Sequence, residues 1–156
     1  MCIIVAKYFP GIGWAGAKNR DRKYIPTLDF LIDTKDGTDR CMMHDQVTGY
    51  KEGINSHGVS ILNTSLDIGD DEKEVEAGKA KSSPDGQIIA AALLQNNVVD
   101  AVKLLIKHKL VGCTIVFDKN ELYLIEACLI WLVRIRYSPT VHLGCSMRRM
   151  MQLAGL

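Results

Sequence analysis

A chain of 156 residues with a formal net charge of +1 has the length of one domain, long enough to bury a single core. Its near-neutral balance, with no basic patch interleaved with aromatics, argues against nucleic acid as a partner, since a phosphate-tracking surface needs a clear basic excess. The five cysteines, Cys2, Cys41, Cys113, Cys128 and Cys145, follow no zinc-ribbon or disulfide-framework spacing, so reduced thiols in the cytoplasm are expected.

The chain opens Met1-Cys2-Ile3-Ile4-Val5-Ala6, a strand-like run. The N-terminus lacks the charged leader and long apolar region of a signal peptide. A small second residue lets the initiator methionine be trimmed, which leaves a thiol and a free α-amine on one residue. Their ordinary pKa values are about 8.5 and about 8, so proton transfer between them costs little. An N-terminal amine can act as base for its own side chain. Pro10-Gly11 and Gly13 mark a turn, and Trp14-Ala15-Gly16-Ala17-Lys18-Asn19-Arg20-Asp21-Arg22 returns as a second strand. This hairpin sets Cys2 opposite Lys18 to Asp21, to within a residue or two of register. A cation nearby lowers a thiol pKa. Period-two geometry places Lys18 and Arg20 on one face and Asn19 and Asp21 on the other.

Residues 39–47 and 49–55 read as short strands around Thr48-Gly49. Ile54-Asn55-Ser56-His57-Gly58 reads as a hairpin turn with Asn and Gly at its special backbone positions, which gives Asn55 a structural role. The next strand, residues 59–66, carries Val59, Ile61, Asn63 and Ser65 on one face. An amide at the end of an apolar face needs a partner if buried. Residues 67–81 are rich in acids and read as a solvated loop, with a flap over the site as the sharper alternative. Ser83-Pro84-Asp85 starts a helix, followed by Ile88, Ala91, Ala92 and Gln95 at helical spacing. Asn97 caps a second helix with Val98, Ala101, Val102 and Leu105 on one face, ending in Lys107, His108 and Lys109. Two strands follow, 113–117 and 121–127, joined by Asp118-Lys119-Asn120.

Strands, a helix pair, then strands predict an α+β sandwich. Cys41-x-x-His44 with His57 lacks a fourth ligand at metal-site spacing. No phosphate-binding or dinucleotide-binding glycine pattern occurs, and neither a cofactor nor a metal is expected. From Cys128 the chain is apolar and basic, and its apolar stretch is far short of the roughly 20 residues of a membrane-spanning helix. Three readings of residues 128–156 stand side by side: a last strand and basic helix, an exposed partner-binding end, or the product of a shifted frame or truncation.

The Met1-Cys2 strand and the Asn19-Arg20-Asp21 run resemble the N-terminal-nucleophile hydrolases of the choloylglycine hydrolase and acyl-coenzyme A:6-aminopenicillanic acid acyltransferase group. They also resemble the related Asn-Arg-Asp-Glu motif proteins, with Arg22 in place of the glutamate. A second block, Glu52-Gly53-Ile54-Asn55-Ser56-His57-Gly58-Val59, followed by a strand reaching Asn63, resembles the family's Glu-Gly-Met/Ile-Asn-x-x-Gly-Leu/Val segment. The likeness covers residues 1 to about 127.

The resemblance implies an αββα sandwich of antiparallel sheets flanked by helices, incomplete at the C-terminus, and a single domain over residues 1–156. It implies Cys2 as nucleophile with its α-amine as base, Asp21 as the carboxylate holding that amine, and Asn63 as an oxyanion-hole residue. Lys18 stands where many relatives carry arginine, and Arg20 is a candidate to supply that function. Relatives bring a further asparagine and arginine from downstream strands, and this sequence has no counterpart of either. The implied activity is hydrolysis of a non-peptide amide, or acyl transfer, on a small molecule. No nucleic acid or membrane partner is expected, and a homo-oligomer is admitted. The alternative is a truncated, catalytically silent relative acting as a binding or structural domain. A glutamine-amidotransferase-like domain also starts with Met-Cys, but its Arg-Gly-Pro run and Asn-Gly pair do not occur.

Overall fold

The computed structural model of the chain describes residues 3–20, 25–64, 84–110, 112–127, 132–137 and 143–145. Strands β1 (Ile3–Phe9) and β2 (Gly13–Asn19) form the opening hairpin. On β1, Ile4 and Ala6 are buried while Ile3, Val5 and Lys7 alternate outward, the pattern of a strand packed on one face. Ile3 pairs with Asn19 and Phe9 with Gly13, within the register window read from the turn.

Strand β3 (Leu28–Lys35) follows, then β4 (Thr38–Asp45), β5 (Tyr50–Asn55) and β6 (Ser60–Thr64). The sequence reading missed β3. Its apolar positions Leu28, Phe30 and Ile32 face solvent rather than core, so the usual half-buried signature is inverted. Asp36 and Gly37 have φ of 53° and 76°, the two positive values that a tight Asp-Gly hairpin turn requires. Helices α1 (Pro84–Ala92) and α2 (Val98–Lys107) precede β7 (Gly112–Phe117), β8 (Leu122–Ala127), β9 (Leu132–Tyr137) and β10 (Leu143–Cys145). All strand pairs are antiparallel, in a seven-stranded sheet ordered β3 to β9 and a three-stranded sheet ordered β10-β1-β2. The C-terminal segment therefore adds a strand to each sheet. The residues from Ser146 on lie outside the described residues, as does the loop read at 67–81.

Two cores hold three layers together. Between the helices and the large sheet lie Met42, Val59, Ile61, Val116 and Ile125 with Ile89, Leu93, Val102 and Leu105. Between the sheets lie Ile4, Ala6 and Trp14 against Ile115, Phe117 and Leu124. Each fully buried Ile, Leu or Val contributes about 1.5–3 kcal/mol. Among the described residues both helices belong to the large sheet's core, so the order is helix, sheet, sheet. The fold is α+β, as the element order predicts. No described helix is long and apolar enough to cross a membrane.

Helix α2 buries Val98, Ala101, Val102 and Leu105, the four residues of its predicted stripe, and the Asn97 side chain accepts from the Asp100 amide at 2.9 Å. Helix α1 is turned from its predicted face, burying Gly86, Ile89 and Ala92. The cause is Gly86, which lies against β5 so closely that a Cβ there would collide with the Gly49 carbonyl oxygen and stand 3.1 Å from the Tyr50 Cα. Asn55 is structural through its side chain: its Nδ2 donates to the Leu93 and Gln95 carbonyls at 2.9 and 2.8 Å, and its Oδ1 accepts from the His57 and Val59 amides. Gly58, with φ of 83°, supplies the special backbone position of that turn.

Candidate active site

The site grows from the inner face of β2. Gly16 sits there because Phe117 and Leu62 leave no room for a Cβ, the Phe117 ring standing 2.8 Å from where one would be. Two residues on, Lys18 points the same way, and Arg20 follows just past the strand. Their side chains are 5% and 9% exposed, so both cations reach into the protein. Asn19 is exposed, as the alternation predicts.

The large sheet meets them with two buried acids. Lys18 Nζ donates to Glu52 Oε1 on β5 and to the Asn63 carbonyl on β6. Arg20 Nη1 donates to Asp45 Oδ2 at 3.3 Å, and its Nη2 lies 3.5 Å from Glu52 Oε1. The Tyr50 ring backs both cations, its centroid 5.0 Å from Lys18 Nζ and 4.5 Å from Arg20 Cζ, which adds a quadrupole attraction. Two cations and two carboxylates are thus brought together where water is largely excluded. The charges survive burial because each is paired.

Asn63 is fully buried and held from three sides. The β5–β6 ladder is short, pairing Gly53 with Ile61 and Ile54 with Ser60. Beyond it the Tyr50 hydroxyl approaches both the Asn63 carbonyl, at 2.8 Å, and the Asn63 Oδ1, dividing one proton between two acceptors. Asn63 Nδ2 donates to Thr114 Oγ1 on β7 at 2.6 Å. By alternation Asn63 shares its face with Ile61, the face that packs on the helices. Its amide is therefore locked in one orientation.

Of the residues marked in the sequence, the structure joins Lys18, Arg20 and Asn63 in one cluster. Cys2 and Asp21 lie outside the described residues, although Ile3, next to Cys2 in the chain, pairs with Asn19. The sequence reading gave no role to Glu52, Asp45, Tyr50 or Thr114. Glu52 stood inside a quoted motif, and the signal available was an acid two residues from Tyr50 and from Ile54 on a strand, hence on one face with both. Its burial depends on cations from a distant strand, which no local pattern announces.

The other marked groups stay apart. Cys41 is exposed, and it pairs with Ile32 while His44 pairs with Asp29, so the two point to opposite faces of β4. His44 contacts Asp29 at 3.1 Å and His57 contacts Thr38 at 3.4 Å. Among the described residues no three His, Cys, Asp or Glu side chains cluster as a metal site would need. A shallow apolar groove of about 340 Å³ lies along Ile3, Val5, Ala17, Lys18 and Asn19, at the end of the hairpin that carries the cations.

Comparison of the chain with protein-family models, with curated proteins and with solved structures gave no match in any of the three.

Proposed function

We propose that the chain is an N-terminal-nucleophile amide hydrolase in which Cys2 attacks the carbonyl of a small, non-peptide amide. The thiol proton passes to the Cys2 α-amine, the sulfur–carbon bond forms, and the carbonyl oxygen takes up negative charge. As the carbon–nitrogen bond breaks, the amine returns the proton to the leaving nitrogen. Water, or an acceptor amine in the transfer variant, then cleaves the thioester. Asp21 holds the α-amine, Lys18 and Arg20 favour the thiolate, and Asn63 is the proposed oxyanion donor. The fold assigned by this reading is the αββα sandwich of that enzyme group, and a reduced, cytoplasmic setting suits its free thiol.

The observation that carries the reading is the buried placement of Lys18 and Arg20 on Glu52 and Asp45, beside the strand end that leads to Cys2. Charges fixed where water is largely excluded act on a thiol more strongly than solvated ones, and Glu52 and Asp45 offset part of the pull of the two cations. The test is hydrolysis of a panel of acyl amides, including penicillin V and N-acyl amino acids, by the wild type and by Cys2→Ala. Turnover that Cys2→Ala abolishes supports the reading, and turnover that survives it refutes the nucleophile.

One observation favours a second reading, a catalytically silent relative serving as a binding or structural domain. The Asn63 amide is fully buried and donates to Thr114, whereas an oxyanion donor must face the reacting carbonyl. A folded wild type that turns over no member of the panel supports that reading.

A further inference from the structure

We draw no further inference here: the strongest candidate, the buried Nε and Nη2 edge of Arg20, which makes no hydrogen bond among the described residues, belongs to the site already described, and no cavity among those residues faces it for an anion to enter.

Discussion

Lys18 and Glu52, 34 residues apart in the chain, form a buried ion pair that joins the small sheet to the large one. Removing one partner of a buried pair typically costs about 3–5 kcal/mol where the other charge is left uncompensated. Glu52→Ala, which takes the carboxylate from Lys18 and from Arg20 alike, is expected to lower unfolding stability in urea by that order, and Lys18→Met by less, because Arg20 Nη2 stays 3.5 Å from Glu52 Oε1. Replacing both by methionine should recover much of the loss, because a buried pair is often no more stable than apolar side chains of like volume. If both single variants unfold at the wild-type midpoint, the pair is not buried in solution.

Asn63 and Thr114 give a second test. Thr114→Val keeps shape but removes the partner of the Asn63 amide, at an expected cost of about 1–3 kcal/mol. Asn63→Ala removes the same hydrogen bond and takes the Oδ1 acceptor from the Tyr50 hydroxyl, which keeps the backbone carbonyl of residue 63, and should cost at least as much. If Asn63 also stabilises an oxyanion, Asn63→Ala slows acylation roughly a hundredfold or more, while Thr114→Val leaves the donor in place and slows it far less. Equal rate losses in the two variants would assign Asn63 to structure alone.

Gly86→Ala forces a methyl group between α1 and β5. Overpacking of this kind typically costs about 1–3 kcal/mol, against a helix-propensity gain of about 1 kcal/mol for Ala over Gly. A net loss is expected because the obstacle is backbone on both sides. Thermal unfolding of the variant above the wild-type midpoint would show that the helix sits further from the sheet.

These cases show where the sequence was readable. The β1–β2 register followed from Pro10, Gly11 and Gly13, and the buried face of α2 from spacing alone, because both are set by local chain geometry. The α1 face was misread because Gly86 carries no hydrophobic signal, although its missing side chain decides how the helix docks. Strand β3 was overlooked because Phe30 and Ile32 face outward. The ion-pair partners Glu52 and Asp45 were invisible for a different reason: an acid's burial depends on which distant cation folds over it. Lys18, Arg20 and Asn63 could be marked as candidates from their motifs, and their convergence needed the sheets.

The Arg40 guanidinium donates from Nε and Nη2 to the two oxygens of Asp33 at 2.7 and 2.5 Å. Those hydrogen bonds hold the Asp33 carboxyl below its ordinary value of 3.8, against the opposing effect of burial and with help from the Arg40 charge. A depressed folded-state pKa contributes stability that is present above the unfolded value and lost as pH falls through the folded one. Asp33→Asn should thus be less stable than wild type at neutral pH, and the two urea midpoints should converge as the pH drops below 3.8. A gap that persists undiminished in strong acid would contradict the ion pair.

Whether Cys2 is the nucleophile of a covalent mechanism is decided by mass spectrometry of the acylated chain. The folded protein is mixed with each acyl amide, quenched in acid within the turnover time and digested. The expected product is an N-terminal peptide that lacks Met1 and carries the acyl mass on Cys2, absent in Cys2→Ala and diminished in Asp21→Asn. An acyl group found on Cys41 or Cys113 instead, or full turnover by a chain that retains Met1, would contradict it.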